Sequence, residues 1–186
     1  MSINNSEYNP FQTYFLSREL TKCPLYFDII KFLKKINHLD PEQKNNVIIS
    51  ISFGKRLLIT NNNINIEKIN QEDIVEVVDY NPIKKIVLVI GQKDPNIQTP
   101  VHWLIHHARN DIHAIVQVND KELIKKFTNN YPTTEIEFPS GSLDLAKEIL
   151  KKLKISKNII IKNSGCLYTG MSLKEIEKVI FNGDDC

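Results

Sequence analysis

Residues 109–119 read Arg-Asn-Asp-Ile-His-Ala-Ile-Val-Gln-Val-Asn, a polar turn followed by an apolar, β-branched run. Arg109-Asn110-Asp111 supplies the turn, and Ile112 to Val118 predicts a buried strand, because Ile and Val fit a pleated surface and lose rotamer freedom in a helix. Side chains alternate between the two faces of a strand, so Gln117 and Asn119 share one face and Val118 takes the other.

Upstream of this strand, Pro95 to Pro100 leads into a predicted helix over Val101–Ala108. Before that, Asp73–Val78 and Lys85–Ile90 read as strands on either side of an Asn81-Pro82 turn. Val47–Ser52 and Arg56–Thr60 form a predicted hairpin around Gly54-Lys55, followed by the polar loop Asn61-Asn62-Asn63. Phe11–Ile36 is helical in character, with Leu16, Leu20, Phe27, Ile30 and Leu33 at roughly helical spacing and Pro24 dividing the segment in two. Asp40-Pro41-Glu42 reads as a turn or helix start. Downstream, Asp120–Phe127 predicts a short helix, Glu135–Phe138 a strand, and Ser142–Leu153 an amphipathic helix with Leu145, Ile149 and Leu153 on one face. Asn158–Lys162 and Cys166–Tyr168 read as strands. Ser172–Phe181 closes the chain as a helix with a capping box of Ser172 and Glu175. Met1–Pro10 is a polar arm without the apolar core of a signal peptide, and residues 11–186 read as one α/β domain.

The bulk numbers agree with one ordinary domain. The chain has 186 residues, 41% hydrophobic and 25% charged, with a formal net charge of +2. That charge provides no global attraction to nucleic acid or an anionic membrane. The three cysteines, Cys23, Cys166 and Cys186, are far apart and show no zinc-cluster spacing, which points to a reducing compartment. No apolar run approaches the ~20 residues that span a bilayer. The expectation is a cytoplasmic protein.

Four pieces of the chain, in order and at matching separations, resemble the class II aldolase/adducin family. They are Leu57-Leu58-Ile59-Thr60 with Ile69–Val75; Pro95-Asn96-Ile97-Gln98 with His102 and Arg109–Val116; Gly141-Ser142 with Leu145-Ala146; and Ile159–Gly165 with Gly170-Met171-Ser172-Leu173. The resemblance covers about Ile48 to Phe181. It implies a central, mainly antiparallel sheet with helices on both sides, and a cyclic tetramer with sites between subunits. It also implies a chemistry in which three histidines hold a divalent metal, usually zinc, and a glutamate acts as acid/base.

At the places where the family has these groups, this chain has others. The histidine pair on the strand reads Gln117-Val118-Asn119. The third histidine is replaced by Ser164, and the glutamate by Gln98. The serine pair before that glutamate reads Asn96-Ile97, the glycine-asparagine turn reads Val47-Ile48, and the threonine-glycine loop keeps Thr60 but continues as Asn61-Asn62-Asn63. Neutral amides are poor zinc ligands, and a glutamine cannot exchange a proton near neutral pH. The expectation is therefore a protein without the family zinc, with no catalytic group at the former acid/base position Gln98. Its former cleft, lined by Thr60, Asn61, Asn96, Gln98, Gln117, Asn119 and Ser164, is then a hydrogen-bonded amide network open to a small polar ligand.

Three roles follow from the resemblance: a non-catalytic binding or structural module, a partner subunit of an active paralogue, or a diverged sugar-phosphate aldolase, epimerase or dehydratase. As a module it associates with itself or with a paralogue, and neither nucleic acid nor a membrane is an expected partner. Other residues carry weaker alternatives. His102 and His106, at i and i+4, share a helix face as a displaced metal pair or as packing residues. Cys166 is a nucleophile or a small buried hydrophobe. Trp103 is a sugar platform or a core aromatic. The lysine runs at Lys31, Lys34, Lys35 and Lys151, Lys152, Lys154 read as solvated helix faces.

Overall fold

The computed structural model describes residues 8–39, 47–62, 64–127 and 129–182. The turn expected at Asp40-Pro41-Glu42 and most of the arm expected over Met1–Pro10 lie outside them. The elements in chain order are β1 (Gln12–Ser17), α1 (Tyr26–Leu39), β2 (Val47–Phe53), β3 (Arg56–Thr60), β4 (Ile74–Asn81), β5 (Ile86–Ile90), α2 (Thr99–Ala108), β6 (Ala114–Val118), α3 (Lys121–Phe127), α4 (Leu143–Lys152), β7 (Asn158–Ile161), β8 (Gly165–Gly170) and α5 (Leu173–Asn182). The eight strands among the described residues join one sheet in the order β1-β5-β4-β3-β2-β6-β8-β7. Among the pairings of these strands β1–β5 is parallel and the other six are antiparallel, so the mainly antiparallel α/β architecture that the resemblance implies is the one observed.

Strand alternation sends each side of the sheet to a different helical layer. Ala114, Val116 and Val118 of β6 pack with Ile29 and Leu33 of α1 and Ile176 of α5. Ile115 packs on the opposite side with Val101 and Ile105 of α2 and Leu145 and Ile149 of α4. A third apolar group joins Ile48, Leu57, Ile59, Val75, Val77, Val87 and Val89 of β2–β5 with Trp103. Each fully buried Ile, Leu or Val contributes about 1.5–3 kcal/mol, so these layers hold the end of β6 rigidly. None of the described helices is long and apolar enough to cross a membrane.

Two expected elements differ. The predicted helix over Phe11–Ile36 begins only at Tyr26, and Gln12–Ser17 is instead the edge strand β1. The helical spacing of Leu16 and Leu20 misleads there. Alternation is the working period: Tyr14 and Leu16 face solvent, while Phe15 packs against the β3–β5 core. Aromatic and β-branched residues at 11–15 favour a strand once β5 offers its backbone. Glu135–Phe138 is not a strand. Pro132 and Pro139 flank it without N–H donors, and the nearby bridge to the sheet, Thr133 to Ile160, falls before the segment. The capping box at α5 is also shifted. Ser172 Oγ accepts from the Glu175 N–H at 3.3 Å, but the Glu175 carboxylate accepts from the Met171 N–H rather than that of Ser172.

Candidate functional site

The end of β6 carries the candidate site. Gln117 pairs with Ile48 of β2 on one side and Leu167 of β8 on the other, which leaves its side chain wholly buried on the α2/α4 face. Asn119, two residues on, turns to the same face as alternation requires, and the two amides meet, Gln117 Nε2 to Asn119 Oδ1, at 2.8 Å. The turn between β7 and β8 brings Ser164 to the same place, its Oγ 3.3 Å from Asn119 Oδ1. Three residues 47 positions apart in sequence at most thus form one polar cluster.

The approach of β8 is close. A Cβ on Gly165 would lie 2.0 Å from the Val118 carbonyl oxygen and 2.6 Å from the Asn119 Cα. Glycine is required at this position by space alone, and it lets the Ser164 turn reach Asn119.

Behind Gln117 lies a feature the sequence reading did not find. Ser50 Oγ on β2 sits 2.8 Å from His102 Nδ1 and 2.8 Å from His106 Nε2, and His106 Nδ1 sits 3.1 Å from the Ile112 carbonyl oxygen. The i, i+4 spacing on α2 aims both rings at the same serine. A lone hydroxyl inside the apolar run Val47–Ile51 was the available signal. Burial pushes His102 down to about 3, with the neighbouring His106 adding to that effect and the Gln117 side chain opposing it. His106 is lowered to about 4, again chiefly by burial. Both rings are neutral at pH 7, and both are structural members of a hydrogen-bond chain.

The other wall is the turn before α2. Asn96 donates its amide to the Asn61 carbonyl at 3.2 Å, accepts from the Gln98 N–H at 2.9 Å, and its carbonyl receives the Thr99 hydroxyl at 2.6 Å. The N–H of Asn96 in turn reaches the Thr60 carbonyl, docking this turn on the end of β3. Thr60 and Asn61 thereby act as anchors: Thr60 is fully buried, and Asn61 donates to Asp73, which also pairs with Lys93 at 2.6 Å. The Gln98 side-chain oxygen accepts from the Gly141 N–H at 2.9 Å. That bond straps the loop before α4 to the turn before α2. Gly141 has φ +73°, and a Cβ there would lie 2.2 Å from the Ile97 carbonyl oxygen, so this contact also needs glycine. Replacing Gln98 with Ala leaves the buried Gly141 N–H without a partner, and urea unfolding should show a loss of about 1–3 kcal/mol.

Between these walls is a cavity of about 180 Å3 lined by Val47, Ile48, Asn62, Asn96, Ile97, Gln98, Asn119 and Ser140. Of the seven candidate cleft residues, Asn96, Gln98 and Asn119 line it. Gln117 and Ser164 stand behind Asn119, and Thr60 and Asn61 support the turn. Two larger concavities, of about 850 and 890 Å3, lie elsewhere, between α1 and α5 and beside β1.

The remaining candidates are structural. Burial pushes the Cys166 thiol up to about 11, which keeps it from acting as a nucleophile at neutral pH. Trp103 is buried in the β2–β5 core and stacks on His107 with ring centres 4.1 Å apart. Lys31, Lys34 and Lys35 are exposed on α1, as are Lys151 and Lys154 at the end of α4. Among the described residues, no group of three or more His, Cys, Asp or Glu side chains is placed to hold a metal ion.

Comparison with known proteins gives this geometry a context. Residues 36–124 match the Class II Aldolase and Adducin N-terminal domain family. Among solved structures, an L-fuculose 1-phosphate aldolase superposes with a TM-score of 0.69 at 18% identity, covering 90% of this chain and 91% of that one. YgbL from Klebsiella pneumoniae superposes with a TM-score of 0.68 at 13% identity, covering 88% and 86%. A sugar-phosphate aldolase from Thermotoga maritima gives 0.62 at 15% identity, covering 86% and 96%. At these identities the likeness is one of fold. No curated protein matches by sequence.

Proposed function

The chain has the class II aldolase/adducin fold, and from that premise we propose that it is a non-catalytic binding or structural domain on the scaffold of a metal-dependent aldolase. The observation that carries this reading is the cluster of Gln117, Asn119 and Ser164. The resemblance puts the metal histidines of the family at these three positions, and here they hold one another through hydrogen bonds of 2.8 and 3.3 Å.

Zinc does not fit this donor set. Two neutral amides and a hydroxyl offer weak oxygen donors, and each is already engaged with its neighbour. An aldol cleavage of a sugar phosphate needs an electrophile for the developing enediolate and a group that moves a proton. Gln98 offers no titratable proton, and its oxygen is occupied by Gly141. What remains is an amide-lined cavity of about 180 Å3, room for a small neutral polar molecule. Steady-state assays with fuculose, ribulose and methylthioribulose phosphates, with zinc supplied, test this reading. The expected result is no turnover above a protein-free control. Turnover at ordinary enzyme rates, about 1 per second or faster, would overturn it.

A further inference from the structure

The buried hydrogen bonds around His102 can be assigned proton by proton, starting from the far end. A carbonyl oxygen only accepts, so His106 Nδ1 must carry a proton to donate to Ile112. A neutral His106 then has a bare Nε2, and the Ser50 hydroxyl must donate to it. With its proton spent there, Ser50 Oγ can only accept from His102, which places the His102 proton on Nδ1. His102 Nε2 is left as a lone pair. That atom, and Gln117 Oε1, are both buried without a hydrogen-bond partner. The Gln117 side chain nonetheless lies beside His102. With Gln117 Oε1 toward the ring, two acceptors face each other, and each is taken out of water with no donor in exchange.

The oxygen and nitrogen of a carboxamide have the same shape, so turning the group by half a revolution moves no other atom. Turned in this way, Gln117 donates to His102 Nε2. Its oxygen then faces Asn119, which must turn as well to offer an N–H. Both atoms, His102 Nε2 and Gln117 Oε1, are satisfied by these two rotations. The opposite polarity, with all donors reversed, requires an extra proton on the buried imidazole pair.

We propose that the Gln117 and Asn119 amides are aligned head to tail, Asn119 Nδ2 donating to Gln117 Oε1 and Gln117 Nε2 donating to His102 Nε2, so that the Asn119 carbonyl oxygen faces the cavity and selects a neutral ligand offering a hydroxyl or N–H donor. The amide alignment stands on the hydrogen-bond pattern alone, whereas the ligand class rests on the binding role proposed above. The chain is polarised in one direction, from Asn119 through Gln117, His102, Ser50 and His106 to the Ile112 carbonyl. Asn119 Nδ2 has a second proton for Ser164 Oγ, and Asn119 is the member of this hydrogen-bond chain that lines the cavity.

Long-range proton–nitrogen NMR on the 15N-labelled full chain at pH 7 tests the alignment. The expected result is a neutral Nδ1–H tautomer for both His102 and His106, with nuclear Overhauser contacts between the Gln117 amide protons and the His102 ring. An Nε2–H tautomer or a charged ring at His102, or absence of those contacts, would overturn it. Titration with glycerol and with acetone, two three-carbon probes that differ in having donors, tests the ligand class. Saturable shifts of the Asn119 side-chain resonances with glycerol and none with acetone are expected. A response to acetone alone, or to neither, removes the ligand half. None of these readouts depends on zinc or turnover, so a zinc-dependent enzyme with these tautomers would sink the functional reading and leave the alignment intact.

Discussion

Lowering the pH from 6.5 to 4.5 should destabilise this protein by about 5 kcal/mol through two buried histidines, before most carboxylates begin to titrate. In the folded chain His102 is held down to about 3 and His106 to about 4, mainly by burial. In the unfolded chain both recover an ordinary value of about 6.5. The folded state therefore refuses protons that the unfolded state accepts. The stability from this source is fully present above pH 6.5. It declines as pH falls below that value, and the decline ends only once the folded values have been passed. Each ring contributes a slope of about 1.4 kcal/mol per pH unit, so the pair gives about 2.7. Urea unfolding at pH 7, 6, 5 and 4.5 measures this directly. A flat profile between pH 6.5 and 5 would mean that the rings are hydrated or already charged. The loss is comparable to the whole stability of a typical domain, about 5–15 kcal/mol, so acid unfolding near pH 4.5 is expected.

Replacing Gly165 with Ala should be the most damaging single methyl in the molecule. The new Cβ would sit 2.0 Å from the Val118 carbonyl oxygen and 2.7 Å from its carbon, in the backbone of β6. Neither atom belongs to a flexible side chain, so β8 must separate from β6. That breaks the register in which Val118 faces Cys166 and Gln117 faces Leu167. It also withdraws Ser164 from Asn119. A loss above about 3 kcal/mol is expected, or failure to accumulate folded protein. The comparison variant is Gly54→Ala at the β2–β3 hairpin. There the added methyl meets nothing within 4 Å and costs only the strain of φ +58°. A Gly165→Ala protein as stable as the parent would show that the two strands are not packed as described.

Much of the sheet was legible because period-two alternation survives in a single sequence. The run Ile112–Val118 predicted β6, and the same alternation placed Gln117 and Asn119 on one face, where they bond to each other. Ser164 could be added only through the family resemblance, since its proximity depends on β8 pairing with β6 across 45 residues. The serine–histidine chain stayed hidden for a related reason. Ser50, His102 and His106 come from a strand and a helix, and no local pattern says that they meet. The misread segment 11–25 shows the converse error, in which leucines at helical spacing outweighed an edge strand stabilised by a partner distant in sequence. Gln98 was recognised as a replaced acid/base position, but its bond to Gly141 gives it a structural task that only the folded loop reveals.

On the proposed reading, the hydrogen-bonded side chains of Gln117, Asn119 and Ser164 stand where the family resemblance puts metal-binding imidazoles. Equilibrating the full chain with one equivalent of zinc, dialysing it against metal-free buffer and measuring retained metal by elemental analysis is the direct test. Retained zinc far below one ion per chain, unchanged by Gln117→Ala, is the predicted result. One zinc per chain, lost on Gln117→Ala, would contradict it.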